Sequence, residues 1–301
     1  MISKEAQEIG RFYGGWSKQL AAGMTLSAMR KLFNTWGDLA AEPEGVEFSD
    51  LTVAGIECVR AIPKGAEDEK KILLCFHGGG FILCSAESHR KLYGHIAKAL
   101  GCKALIVDYS LAPKNAHPGI VMEALDVYAG LLELGYKPEH IATIGDSGGG
   151  NLSAAVVLYA AQMGYPLPAA CVGLSPWYDM ECTGETLTTN ADKDGLITKP
   201  VLLQMAGMFL GGKSPTGPLA NPLHADLKNF PPTLIQVGGY EALLDDSRRF
   251  YDKAKKEGVD IELQVFPEMQ HIFHGMAGKA PEADDAIAKI AQWLRPRLGL
   301  A

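Results

Sequence analysis

Apolar and polar positions along this chain follow two alternating rhythms. Short runs that are apolar at consecutive positions, such as Ile72-Leu73-Leu74-Cys75-Phe76 and Ala104-Leu105-Ile106-Val107, predict strands buried on both faces, as in a parallel sheet. Runs of this kind place core strands at 71–76, 104–108, 141–145, 170–174, 233–237 and 261–265. Stretches with helical period lie between them, near 88–100, 119–134, 149–163, 243–257 and 282–295. Pro118 and Pro281 suit the first turn of a helix, and Gly135 and Gly258 suit helix ends. Residues 51–61 read as one further strand ahead of the series. Strands alternating with helices predict a mainly parallel sheet covered by helices.

Two segments break the alternation. Residues 1–40 look helical and precede the first strand. Residues 176–230 separate two strands by more than a structureless loop spans in a compact domain, so they predict a small helical insertion. Both carry large apolar side chains, among them Phe12, Tyr13, Trp16, Leu202, Met205, Met208 and Phe209. We read them as a joint cap over the carboxyl edge of the sheet, where open α/β sheets bind ligands. Plain coverage of an apolar surface is the competing reading. The plan is an α/β body of residues 41–175 and 231–301, capped by 1–40 and 176–230. Trp16, Tyr178, Met208 and Phe209 are candidates to line a pocket, with core packing as the alternative.

Composition narrows the function. A chain of 301 residues accommodates one large α/β domain or two small ones, and 47% hydrophobic with 21% charged residues is the mix of a packed globular protein. A net charge of −7 argues against a nucleic-acid partner, which needs a basic face. No stretch reaches ~18 uncharged apolar residues, so no membrane span is expected. The opening Met1-Ile2-Ser3-Lys4-Glu5 lacks the apolar core of a signal peptide. The cysteines at 58, 75, 84, 102, 171 and 182 form no C-x-x-C pair or zinc spacing. They read as reduced, buried thiols of a cytoplasmic protein, and no metal site is expected.

The candidate chemistry starts at Gly145-Asp146-Ser147-Gly148-Gly149, which matches G-x-S-x-G. It follows the strand at 140–144 and opens the helix beginning near Asn151, so the motif sits on a strand-to-helix turn. Such a turn lifts the Ser147 hydroxyl clear of the backbone, and the helix N-terminus stabilises negative charge that develops there. A loop cradling a phosphate is the alternative for glycines at this spacing. His77-Gly78-Gly79-Gly80-Phe81 follows an earlier strand and matches the glycine-rich oxyanion motif. Its backbone N–H groups, from Gly78, Gly79 and Gly80, together with that of Gly148, are the candidate oxyanion donors. His77 is read as fixing the loop rather than reacting.

Hydrolases of this type carry their triad in the chain order Ser, acid, His. His271 and His274 both follow the last strand. His271 comes sooner after it and is favoured as base, with His274 read as a surface-loop histidine. Glu241, Asp245 and Asp246 compete for the acid. Glu241 lies nearest the strand end, while the two aspartates suit the first turn of the following helix. Gly207-Met208-Phe209-Leu210-Gly211-Gly212-Lys213-Ser214 also satisfies G-x-x-x-x-G-K-[ST], but an apolar helix precedes it and Pro215 follows, so we do not read it as a nucleotide site.

These features together resemble the hormone-sensitive-lipase-like family of α/β-hydrolase esterases, especially its microbial members. The resemblance rests on His77-Gly78-Gly79-Gly80, Asp108-Tyr109-Ser110-Leu111-Ala112-Pro113 with Pro118, Gly145-Asp146-Ser147-Gly148-Gly149, Gly238-Gly239-Tyr240-Glu241 and His271-Ile272-Phe273, in that order. It implies an eight-stranded α/β-hydrolase sheet, a cap built from the N-terminus and an insertion, hydrolysis of short-chain acyl esters, no cofactor, and a homodimer. Two departures stand out. Glu241 occupies the place where the family usually has aspartate, and Gly148 the place where alanine is common. Two other functions stay open: an amidase or deacetylase with the same triad, and a non-catalytic small-molecule receptor. The plant gibberellin receptors resemble this family without the triad histidine, so His271 weighs against the receptor.

Overall fold

The computed structural model describes residues 2–21 and 23–300. Its strands are β1 (Val46–Val53), β2 (Ile56–Pro63), β3 (Ile72–Phe76), β4 (Lys103–Val107), β5 (Ile141–Asp146), β6 (Ala170–Leu174), β7 (Thr233–Gly238) and β8 (Ile261–Phe266). They form one sheet in the order β1-β2-β4-β3-β5-β6-β7-β8. β2 runs antiparallel to both β1 and β4, and the remaining strands are parallel. The α-helices are α1 (Lys4–Ala21), α2 (Leu26–Phe33), α3 (Ala86–Leu100), α4 (Gly119–Glu133), α5 (Gly148–Met163), α6 (Thr186–Thr189), α7 (Lys199–Leu210), α8 (Leu244–Lys256) and α9 (Pro281–Leu294).

The central strands are apolar at consecutive positions because helices cover both faces. Every residue of β3, β5, β6 and β7 is buried. Full burial of side chains such as Leu73, Leu74 and Phe76 contributes roughly 1.5–3 kcal/mol each. The edge strand β8 instead buries only Ile261 and exposes Glu262 and Val265. The single strand expected at 51–61 is a hairpin. Ala54 and Gly55, both at positive φ (51° and 80°), turn β1 into β2. Ala54 carries no turn signal of its own, so the alternating pattern runs straight across the junction.

The two segments outside the alternation lie over the carboxyl end of the sheet. α1 buries Ala6, Ile9, Tyr13 and Trp16, a stripe at helical spacing. It packs against α9 and the single turn Phe273–Met276. Residues 176–230 hold α6, α7 and a short 3-10 turn at Pro222–His224, joined by irregular loops. α7 docks through Phe209, whose ring stacks on Phe81 at 3.8 Å between centroids. Gly207–Leu210 form the last turn of α7, and Gly211 caps it in the left-handed conformation. The lysine and serine that follow therefore leave a helix and do not open one.

Candidate active site

Five loops leave the carboxyl ends of β3, β5, β6, β7 and β8 and converge. The sharpest is the turn from β5 into α5. Ser147 takes φ 52°, ψ −119°, a region that non-glycine residues rarely occupy. The turn closes only because its neighbours are small. A Cβ on Gly145 would stand 2.0 Å from the Gly149 carbonyl oxygen, and one on Gly149 would stand 2.0 Å from that of Phe76. Ser147 N–H donates to Leu174 O (2.9 Å) and its carbonyl accepts from Trp177 N–H (3.0 Å), so the strained residue is pinned on both sides.

Ser147 Oγ lies 3.0 Å from His271 Nε2, and His271 Nδ1 lies 2.9 Å from Glu241 Oε2. The carboxylate can only accept, so Nδ1 carries the proton and Nε2 is left free to accept the serine proton. Glu241 is fully buried, and its other oxygen accepts from Ser175 Oγ (2.6 Å) and Gly238 N–H (2.5 Å). Burial pulls the His271 pKa down, but the adjacent Glu241 carboxylate outweighs it and holds the ring above its ordinary value. Burial likewise raises the Glu241 pKa, opposed by its donors His271, Ser175 and Gly238.

The competing candidates are engaged elsewhere. Asp246 is buried beneath the loop after β6, accepting Tyr178 N–H (3.0 Å) and Asp179 N–H (2.8 Å), with Arg249 at 3.1 Å. Asp245 accepts Glu185 N–H (2.9 Å). His274 is fully buried rather than on the surface. It meets Gln236 Oε1 at 2.9 Å, and desolvation lowers its pKa to about 3. The last strand is followed at once by a chain reversal that carries residues 271–276 inward under α1, which is why the surface expectation fails.

The glycine loop after β3 lies against the elbow. Gly79 and Gly80 sit at φ 100° and 59°, and both line the same pocket as Ser147 and His271. Among the described residues neither N–H donates to a protein acceptor. The Gly148 N–H is one of the first-turn donors that α5 itself cannot satisfy. A Cβ on Gly148 would stand 3.2 Å from Gly80 Cα, so the elbow and the glycine loop are in backbone contact. His77 holds the loop. Its Nδ1 bonds Gly78 O at 2.8 Å and its ring stacks on Tyr109 at 4.2 Å. Because the peptide is planar and trans, drawing Gly78 O toward His77 turns the Gly79 N–H to the opposite side. Desolvation, then His89, lowers the His77 pKa to about 4, so the ring is neutral.

A buried acid lies behind the loop. Asp146 accepts from Tyr93 Oη (2.7 Å), and its Oδ2 lies 3.2 Å from His89 Nε2. Burial raises its pKa, but His89, Tyr93 and His77 together bring it below the ordinary value. His89 stacks on Trp36 (4.4 Å, 13°), whose Nε1 donates to Tyr13 Oη at 3.1 Å. Sequence reasoning missed this network and Ser175. The available signal for Ser175 was a lone polar residue at the carboxyl end of a buried strand.

The pocket, with the solvent at its mouth, spans about 590 Å³ and is lined mainly by apolar side chains, including Phe33, Trp36, Trp177, Leu202 and Met205. The four side chains expected to line it lie elsewhere. Trp16 packs on Phe33 and Phe12 in the layer behind. Tyr178 points under the sheet edge onto Phe250, 4.4 Å between ring centroids. Phe209 is covered by Phe81, and Met208 faces an adjoining groove.

The chain matches the model of the alpha/beta hydrolase fold family over residues 73–275. It is 36% identical over 255 residues to an acetyl-hydrolase of Streptomyces hygroscopicus, covering 85% of each chain. It is 32% identical over 268 residues to an esterase of Acinetobacter venetianus, covering 89% of this chain and 88% of the other. The crystal structure of an esterase from the bacterial hormone-sensitive lipase family superposes with a TM-score of 0.94 at 40% identity, covering 99% of this chain and 100% of that one.

Proposed function

This chain belongs to the α/β-hydrolase family, in the branch of the bacterial hormone-sensitive-lipase esterases, and we propose that it is a carboxylesterase acting on short-chain acyl esters through Ser147, His271 and Glu241. The observation that carries the reading is the unbroken hydrogen-bond line from Ser147 Oγ through His271 to Glu241, opening on a pocket walled by Gly79 and Gly80. His271 takes the serine proton as Oγ attacks the ester carbonyl. Glu241 keeps the imidazole in the accepting tautomer and stabilises its positive form. The N–H groups of Gly79, Gly80 and Gly148 receive the oxyanion, and one such donor is typically worth ~10²–10³ in rate. His271 returns the proton to the leaving alkoxide. A water deprotonated by His271 then releases the acid from the acyl-enzyme.

Residues 1–40 and 176–230 act as the cap in this proposal, since these two segments supply most of the apolar pocket wall. A cytoplasmic location is supported by six buried, unpaired cysteines. Among the described residues no helix is long and apolar enough to cross a membrane. The net charge of −7 speaks against a nucleic-acid partner. A homodimer is supported by the edge strand β8, where Val265 is exposed, and sedimentation of the purified protein tests it.

The test is hydrolysis of p-nitrophenyl esters from acetate to dodecanoate by the wild type and Ser147→Ala. Cleavage of short esters by the wild type alone supports the reading. A folded wild type that is inert toward every ester, and unlabelled by a fluorophosphonate, overturns it.

A further inference from the structure

A second, open cavity, spanning about 970 Å³ with the solvent at its mouth, adjoins the catalytic pocket. It lies between the N-terminal helices and α7, lined by Ser17, Met24, Met29, Ile82, Thr198 and Met208 among others. Among the described residues no charged side chain lines it, so an uncharged, largely apolar group is the chemistry it accepts. The two cavities share four wall residues: Leu20, Leu196, Val201 and Met205. These four are the partition.

Met205 is the member of that partition nearest the chemistry. A Cβ built on Gly80 would stand 2.5 Å from Met205 Sδ, so the thioether occupies space directly over the oxyanion loop that the missing side chain leaves open. Val201, Met205 and Met208 recur at helical spacing along one half-buried face of α7, the face turned toward both cavities. The buried residues Leu202, Ala206 and Phe209, about 100° round the helix, anchor it, so the backbone is fixed while the Met205 side chain is only half-buried. An unbranched thioether with three rotatable bonds can swing aside where leucine or phenylalanine cannot.

Position also selects which half of an ester meets it. The leaving alcohol takes its proton from His271 and therefore lies on the His271 side, whereas Met205 covers Gly80. We propose that Met205 is a specificity-determining gate between the acyl pocket and the second cavity: acyl chains that outgrow the catalytic pocket displace it and continue between the N-terminal helices and α7. The proposal rests on the ester-hydrolase reading of the same site. It makes the short-chain preference a property of one side chain rather than of a closed wall.

The experiment compares kcat/KM on p-nitrophenyl acetate and decanoate for the wild type, Met205→Ala and Met205→Phe. Opening the partition lets further methylenes be buried, each worth about fourfold (about 0.8 kcal/mol) at full burial. The decanoate-to-acetate ratio should rise about tenfold or more in Met205→Ala and fall in Met205→Phe. A merely structural role would change both esters together and leave the ratio unmoved. A ratio within about twofold of the wild type in both variants overturns the gate. Wild-type cleavage of acetate that Ser147→Ala abolishes shows that the hydrolase reading stands whatever the ratio does. If the wild type cleaves neither ester, calorimetric binding of decan-1-ol decides the gate alone. About tenfold tighter binding by Met205→Ala upholds it, and equal affinities overturn it.

Discussion

Replacing Glu241 by glutamine removes one charge and almost no volume, and the surrounding hydrogen bonds dictate which way the new amide must face. Oε1 accepts from Gly238 N–H at 2.5 Å, a group that can only donate. The oxygen of the glutamine must therefore stay there, which puts its NH₂ in the place of Oε2, 2.9 Å from His271 Nδ1. An NH₂ group donates, so Nδ1 becomes the acceptor and the ring proton moves to Nε2. That nitrogen lies 3.0 Å from Ser147 Oγ and can no longer take its proton. The corresponding loss through a wrong tautomer is known for other serine hydrolases and costs about 10⁴ in kcat. We expect a fall of that order in Glu241→Gln.

The pH profile gives a second, independent readout. His271 must be neutral to act as base, so activity rises with pH through the His271 pKa. Glu241 raises that pKa above its ordinary value, against the burial that lowers it. Removing the carboxylate leaves burial dominant, and the acid limb of kcat/KM on p-nitrophenyl acetate should move to lower pH. Asp245→Ala is the control, because its carboxylate serves Glu185 N–H at a distance from the histidine. Near-wild-type turnover in Glu241→Gln, or a large loss confined to Asp245→Ala, refutes the assignment of the acid.

Three further outcomes follow from particular contacts. Ser175→Ala deletes the 2.6 Å donor to Glu241 and leaves Ile272 N–H without its acceptor, so chemical denaturation should show a loss of about 2–4 kcal/mol and kcat should fall more than KM rises. Gly145→Ala places a methyl group 2.0 Å from the Gly149 carbonyl, and the variant should lose more than about 3 kcal/mol or fail to fold, as read by circular dichroism. Asp146→Asn and His89→Gln each alter one side of a buried polar contact at a cost of about 1–3 kcal/mol, and the double variant should cost less than the sum by about 0.5–3 kcal/mol. Strict additivity would show that the two groups do not act as a pair.

What the sequence makes legible is whatever the backbone can do in only one way. The elbow and the oxyanion loop stand out because glycine is the residue that fits at Gly79, Gly145 and Gly149, where any Cβ would strike backbone within 2.3 Å. Glu241 is harder to single out because three carboxylates lie within six residues, and their chemistry is identical until the fold aims them. Glu241 precedes α8 and turns toward the sheet edge, whereas Asp246, in the first turn, reaches under to the amides of Tyr178 and Asp179. The pocket wall is missed by small offsets. Trp177 lines the pocket while its neighbour Tyr178 faces the opposite way, and Met205 lies on it while Met208, nearly one helical turn on, opens to the adjoining groove. Strand and helix patterns fix which residues are buried, but in the irregular loop after β6 no period fixes direction.

The residues that complete the site share a backbone property that composition conceals. Ser147 and Ser175, at φ 52° and 47°, directly follow β5 and β6, while Ile272, at φ 49°, lies in the loop after β8, and none is glycine. Each such conformation costs of order 1–3 kcal/mol and persists only where its surroundings over-determine it. Here Ser175 and Ile272 hold each other, and Ser147 is held by Leu174 and Trp177. Ser175 Oγ accepts Ile272 N–H, which fixes the chain just after His271, while the same hydroxyl donates to Glu241 and Ser175 N–H bonds Gln236 O on β7. One strained serine thereby ties the acid, the base and two strands to a common point. Relaxing Ser175 to an ordinary φ would swing its hydroxyl away from both Glu241 and the Ile272 N–H. The strain at Ser147 and Ser175 is thus held by hydrogen bonds from the neighbouring loops and strands, and under the proposed mechanism these would keep Ser147, His271 and Glu241 in line before substrate arrives.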